Sequence, residues 1–137
     1  MADTAPTAVR FLNPASMPQS FGYTQVVEVT GSKILYISGQ VAINLAGQIV
    51  GAGDLQAQTE QVFENLKAGL AAVGATFEHV VKLHFYLLDI TQMQIVRDVR
   101  DRYINTQFPP ASTAVEVRRL FRDELLVEID AIAALPG

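Results

Sequence analysis

The chain has no cysteine. That excludes disulfides, thiolate catalysis and zinc–thiolate sites. No apolar run approaches the roughly 20 residues a membrane helix needs. The opening stretch MADTAPTAVR carries acidic Asp3 and no long apolar core, so it reads as something other than a signal peptide. Basic charge is also in short supply: ten Lys and Arg against fourteen Asp and Glu give a formal net charge of −4. This argues against a nucleic-acid or anionic-membrane partner. What remains is ordinary globular material, half apolar and 18% charged. A chain of 137 residues is the size of one domain and buries about two-thirds of its unfolded surface. The expectation is a single cytoplasmic domain over residues 1–137.

Residues 1–21 hold three of the six prolines and little periodicity, and read as an extended lead-in. Thr24 to Thr30 alternates. Gly31-Ser32-Lys33 reads as a turn and Ile34 to Val41 as a second strand, so the pair is expected as a hairpin. The glycines of Asn44 to Gly53 mark a loop. Asp54 is a candidate N-cap, after which Leu55, Val62, Phe63, Leu66, Leu70 and Val73 recur at helical spacing up to Gly74. Val80 to Leu88 is a third strand. Thr91 to Gln94 fits a capping box, followed by a helix marked by Met93, Val96, Val99 and Tyr103. Pro109 and Pro110 stop any element, and strands follow over Thr113 to Leu120 and Leu125 to about Ala134. The order is ββαβαββ, an α+β pattern.

Alternation sorts the strand residues onto two faces. Val27, Val29, Leu35, Ile37, Leu83, Phe85, Leu87, Val115, Val117, Val127, Ile129 and Ala131 form an apolar face, expected under both helices. Val26, Glu28, Ile34, Tyr36, Lys82, His84, Tyr86, Glu116, Arg118, Asp130 and Ile132 form a mixed one. Aromatics and arginine with a polar rim are interface composition, and both helices are needed elsewhere, so the mixed face is expected to meet another subunit. A solvated antiparallel face is the plainer reading.

Local motifs are sparse. His79 and His84 alternate to opposite sides of a strand and do not suggest a joint metal site. Gly51-Ala52-Gly53 before a helix lacks the third glycine or lysine of a phosphate cradle and reads as a loop. Six basic residues lie between Arg97 and Arg122. Most have acidic neighbours and read as solvated charge.

Tyr23-Thr24-Gln25, Ile37-Ser38-Gly39-Gln40-Val41, Gln58-Thr59 through Asn65-Leu66, Val81-Lys82, Pro110-Ala111, Val115-Glu116-Val117 and Val127 through Ala133 together resemble the RidA (YjgF) family, also labelled L-PSP endoribonuclease. The resemblance runs from about Asn13 to the C-terminus. It implies a chorismate-mutase-like α+β fold, a mostly antiparallel sheet with two helices on one face, and a homotrimer with three intersubunit clefts. It also implies metal-free, cofactor-free hydrolysis of enamines or imines to a carbonyl compound and ammonia. In the family, an arginine within Pro-Ala-Arg-Ser grips the substrate carboxylate and a last-strand glutamate helps place the water.

Here Ser112 stands where that arginine is expected. A serine hydroxyl carries no charge, and losing such a contact costs about 1.5–3 kcal/mol, roughly tenfold to over a hundredfold in binding. Asp130 takes the glutamate's place, as a tentative water-positioning residue. Tyr23, Ser38, Gly39, Gln40, Ser112 and Thr113 are the implied binding residues, joined by Arg97 and Arg100 as candidate replacement cations for a small anionic metabolite. Their plainer readings are packing at a strand entry for Tyr23, strand-end geometry for Ser38 to Gln40, solvated charge for the arginines, and an ion pair with Arg118 for Asp130. Three functions follow: a deaminase of altered specificity, a ligand-binding or regulatory trimer without turnover, and, last, an endoribonuclease. The acidic net charge and the lack of a basic stripe or paired histidines count against the third.

Overall fold

A computed structural model describes residues 8–137. Its helix α1, Leu55–Ala71, begins where the sequence indicates. Asp54 Oδ1 accepts the Ala57 N–H at 3.0 Å, and Gly74 follows the end at φ +77°. The buried stripe Leu55, Val62, Phe63, Leu66 and Leu70 includes two polar residues, Gln58 and Thr59. Both are satisfied. Gln58 Nε2 donates to the carbonyls of Gly51 (3.1 Å) and Glu124 (2.8 Å), and its Oε1 accepts from the Leu126 N–H (2.8 Å). One side chain thus ties the loop before α1 to the segment entering the last strand. Thr59 bonds the Leu55 carbonyl.

The helix lies on a four-stranded mixed sheet of order β3-β6-β4-β5, made of β3 Ser32–Gln40, β4 Val80–Leu87, β5 Ala111–Glu116 and β6 Val127–Pro136. β6 runs antiparallel to both β3 and β4. β5 is parallel to β4, because the chain crosses over through α2, Met93–Arg100. Leu83, Phe85, Leu87, Val127, Ile129 and Ala131 point under the helices and are buried, with Leu35 and Ile37 packed against them. No helix among the described residues is long and apolar enough to cross a membrane.

Four local expectations are corrected. First, the hairpin does not form. β2, Val26–Thr30, pairs instead with β1, Ala8–Leu12, a strand inside the stretch read as an extended lead-in, and the two make a separate ribbon. Only Gly31, at φ +66°, separates β2 from β3, fewer than the two residues a tight hairpin loop requires. Ser32 and Lys33 are already strand, opposite Pro136 and Leu135. Val27 and Val29 therefore belong to the ribbon rather than to the helix-covered face.

Second, β5 has the opposite phase. Leu83 pairs with Ser112, Phe85 with Ala114 and Leu87 with Glu116, so these three β5 residues share the helix side. Thr113 and Val115 face the other way, and Val115 is exposed. Ala114, though on that side, is exposed at the open edge of the sheet, and the Glu116 carboxylate accepts from the Ile90 N–H at 3.1 Å. Third, Val117 and Arg118 lie past the end of β5 and belong to neither face of the strand.

Fourth, Thr91 and Gln94 form no capping box. Asp89 caps a single 3₁₀ turn, Thr91 bonds back to Asp89, and Gln94 bonds Asp98. The Thr91 hydroxyl is spent as a donor to Asp89, and the N-cap position of α2 itself, Gln92, makes no side-chain cap. The reciprocal cap lies elsewhere: Thr76 Oγ1 accepts from the Glu78 N–H and His79 Nδ1 accepts from the Thr76 N–H.

Candidate functional site

The sheet face away from the helices is only partly apolar. Tyr36 is 79% exposed there and Ile34 is also exposed. Strand register assembles a polar row on this face. Asp130 of β6 pairs with His84 of β4, which pairs with Thr113 of β5. On the other side of β6, Ile37 pairs with Ala131 and Gln40 with Ile129, so Ser38 and Gly39 together face the single residue Asp130. That extra residue is a bulge, a common way to re-aim side chains.

Asp130 is held at both oxygens. Oδ1 lies 2.8 Å from His84 Nδ1, and Oδ2 accepts from the Tyr86 hydroxyl at 3.0 Å. His84 and Asp130 are about one-third and one-quarter exposed, so these bonds are partly sheltered. The hydrogen bond to Asp130, then burial, pushes the Tyr86 hydroxyl above its ordinary value. Two residues before Asp130 on the same face, Glu128 leans over the bulge: a Cβ on Gly39 would lie 2.8 Å from Glu128 Cδ and would overlap its Oε2. Burial, and next the charge of Asp130, push the Glu128 carboxyl up. Beside them, Lys82 Nζ donates to Thr113 Oγ1 at 3.0 Å.

Of the residues singled out from sequence, Ser38, Gly39, Thr113 and Asp130 meet in this row, and Gln40 closes the bulge with Nε2 bonded to the Ser38 carbonyl. Ser112 sits half-buried on the helix side of β5. Tyr23 is half-buried in the segment before β2. That segment is tied to the prolines ahead of β5: the Thr24 N–H donates to the Pro110 carbonyl at 3.2 Å, and its hydroxyl to that of Pro109. Arg100 joins this second group. It is 6% exposed, its Nε and Nη2 bond Asp101 at 2.9 Å, and Nη2 stands 3.2 Å from where a Gly22 Cβ would be. Gly22, Arg100, Asp101, Thr106 and Pro109 enclose a cavity of about 50 Å³. Arg97 is exposed, with no ion pair among the described residues. Asp130 does not pair with Arg118; its partners are His84 and Tyr86.

Sequence reasoning placed His84 and Tyr86 on the mixed face without linking them to Asp130, and left Glu128 out. The available signal was spacing: Glu128-Ile129-Asp130 and His84-Phe85-Tyr86 each put two polar groups on one face. The described residues contain no group of three or more His, Cys, Asp or Glu arranged to hold a metal ion. A cavity of about 420 Å³ lies away from this chemistry. It is a crevice over Leu70, Phe77 and Tyr103, where the Phe63–Phe77–Tyr103 rings pack at 5.1–5.8 Å. The carboxylate row has the converging polar groups, and it is the candidate site.

Two helices on one side of a mixed sheet are the arrangement of the chorismate-mutase-like Rid fold. Residues 15–135 match the family described as Endoribonuclease L-PSP, and the chain belongs to that family, the RidA (YjgF) family. It is 44% identical over 117 residues to Protein DfrA of Myxococcus xanthus, covering 85% of this chain and 88% of that one. It is 36% identical over 126 residues to the 2-iminobutanoate/2-iminopropanoate deaminase of Capra hircus, covering 90% and 88%. The crystal structure of a Rid-family protein from Yersinia pestis is similar at a TM-score of 0.81 with 36% identity, covering 93% of this chain and 98% of that one.

Proposed function

We propose that this chain is a single-domain, cytoplasmic RidA-type protein. It forms a homotrimer, binds a small anionic metabolite between subunits and hydrolyses an enamine or imine to a carbonyl compound and ammonia. The observation that carries the reading is Asp130, fixed at both oxygens by His84 and Tyr86 on the uncovered sheet face. Relatives named as 2-iminobutanoate/2-iminopropanoate deaminases support the reaction class.

In this reading each Asp130 oxygen spends one lone pair on its donor and keeps another for water. A carboxylate that cannot swing holds that water at one angle to the C=N carbon. Tyr23, Ser38, Gly39, Gln40 and Thr113 shape the cleft. Ser112 replaces the family's charged clamp with a neutral hydroxyl and shifts specificity. Arg100 or Arg97 supplies the positive charge. The exposed Tyr36 and Ile34 give neighbouring subunits an apolar surface to cover.

The test couples an amino-acid oxidase to ammonia detection, with and without the protein. Faster ammonia release for at least one amino acid supports the reading, and no acceleration for any of them retires it. Sedimentation at micromolar concentration tests the assembly, where a stable single-chain species removes the intersubunit cleft.

The competing reading is a trimer that binds ligand without turnover. Ser112 favours it, and so does Arg100, whose Nε and Nη2 already bond Asp101. Calorimetric binding of a small carboxylate without ammonia release would select it. An endoribonuclease ranks last, on a net charge of −4.

A further inference from the structure

We propose that the crevice on the helix side is a second ligand site, built for a small carboxylate that carries an apolar body. It is separate from the Asp130 row and does not depend on the hydrolytic reading. The crevice encloses about 420 Å³, inside the range of roughly 300–1,000 Å³ that small-molecule sites occupy. Its floor is Leu70, Ala75 and Phe77, all buried, with half-buried Tyr103 beside them. The Tyr103 ring is held in place rather than free to fill the space. It is stacked on Phe63 at 5.1 Å, set edge-on to Phe77 at 5.4 Å, and tied by its hydroxyl to Glu64. Ala71, the last residue of α1, and Ala75 cut the wall back to a methyl group at two points. The room therefore comes from small residues set beside fixed rings.

The charge on the rim selects the ligand. Lys67 and Arg102 are the cations that line it, and Glu78 is the acid. Glu64 stands one turn before Lys67 on α1, the place of a helical ion-pair partner, but its Oε2 accepts the Tyr103 hydroxyl at 2.7 Å. Glu60, a turn further back, pairs with Arg102 at 2.9 Å. Glu78 accepts from Asn105 Nδ2 at 3.3 Å. Lys67 is left with neither an ion pair nor a hydrogen bond among the described residues. Thr76, also on the rim, accepts the Glu78 N–H at its Oγ1, which leaves its hydroxyl proton to donate.

An unmatched ammonium and a free hydroxyl donor above an aromatic floor fit one chemistry. The carboxylate sits at the rim, and an aryl or branched alkyl group lies on Leu70, Phe77 and Tyr103. A cationic ligand would meet Lys67 and find each neighbouring acid already bonded. An uncharged one would leave the ammonium without a partner. The crevice lies opposite the sheet face proposed to meet other subunits, so a ligand there does not compete with assembly.

The experiment titrates the full-length, isotope-labelled protein with phenylacetate, and with phenylacetamide as its uncharged counterpart, and follows the backbone amide shifts. Phenylacetate is expected to shift Lys67, Thr76, Phe77 and Tyr103 saturably while Ser38, Gly39 and Asp130 stay in place. Lys67→Gln, a change at an exposed position, is expected to weaken binding about fivefold, and the amide to bind the wild type more weakly by about the same factor. Ala71→Trp fills the crevice and is expected to abolish the saturable shifts with a melting temperature close to wild type. Equal affinity for acid and amide, full affinity in Lys67→Gln, saturation only at the Asp130 row, or no saturable binding at millimolar phenylacetate overturns the proposal. Should Ala71→Trp fail to fold, Lys67→Gln and the amide comparison decide it. A protein that releases no ammonia from any imine loses the hydrolytic reading and keeps this site.

Discussion

Glu128 and Gly39 occupy one space: the carboxyl of the first fills the position a side chain on the second would take, with Cδ 2.8 Å from an ideal Cβ. The glycine is at ordinary φ, so its value here is room rather than backbone freedom. Gly39→Ala should push the flexible Glu128 end aside without unfolding the chain. A misplacement of about 1 Å costs roughly 10² in rate. The expected outcome is a fall of that order in ammonia release, with a melting temperature close to wild type. An unchanged rate would show that the space over the bulge does not shape the site.

The same carboxyl sets a pH dependence of stability. Its folded value is raised by burial and by Asp130. Its contribution is therefore full below the unfolded value and is lost as pH rises through the folded one. Ionisation of Glu128 should weaken the native state across that window. Glu128→Gln has nothing to ionise, so it should gain stability over wild type on going from mildly acidic to neutral pH. Thermal melts of both proteins across the range check this, and parallel curves would contradict it.

Gln58 plays a structural part on the other side of the sheet. It is fully buried and serves Gly51, Glu124 and Leu126 at once. Gln58→Leu has similar volume but leaves two carbonyls and one N–H without their partner. At about 1–3 kcal/mol for each buried group left unsatisfied, a loss of about 3 kcal/mol is expected after partial access of water. Urea unfolding reads it directly. The loop around Gly51 should also exchange its amide hydrogens faster.

How much of this was legible in the chain follows from how local each cause is. Asp54, the stripe from Leu55 to Leu70 and Gly74 specify α1 within one stretch, and α1 stands as expected. The β5 phase depends on which residue meets Leu83, a register set across the sheet. Alternation fits Val115 on either side equally well, and the register places Ala114 on the helix side, where it is still exposed at the sheet edge. The missed hairpin turned on a single residue, Gly31. At the site, Asp130 was legible through the family resemblance. Its clamp by His84 and Tyr86 joins residues more than forty apart, which no local pattern reveals.

Tyr103 gives a second, independent pH signature on the helix side. Its ring packs on Phe63 and Phe77, and its hydroxyl donates to Glu64 at 2.7 Å. Burial, then that bond, pushes the hydroxyl up to about 12 from 10.0. A raised value contributes stability below the unfolded pKa that is lost as pH climbs through the folded one. Between pH 10.0 and about 12 the wild type should lose stability that Tyr103→Phe does not. At neutral pH the phenylalanine keeps the ring contacts and loses one bond, about 1 kcal/mol. Denaturation at pH 7 and again above pH 10 separates the two effects.

Ser112→Arg tests whether specificity turns on one missing charge. The serine sits half-buried at the second position of β5, beside Thr113 of the carboxylate row. An arginine there restores two parallel donors for a substrate carboxylate. A charge-assisted contact of about 1.5–3 kcal/mol corresponds to tenfold to over a hundredfold in affinity. The gain should fall on imines bearing a carboxylate, chiefly in KM, and leave uncharged imines unaffected. If Arg100 already supplies the charge, Arg100→Gln in the wild type should remove carboxylate preference and Ser112→Arg should restore it in the double variant. A Ser112→Arg protein that folds, assembles and still ignores carboxylates would mean that the cleft selects its ligand by some other feature of its wall.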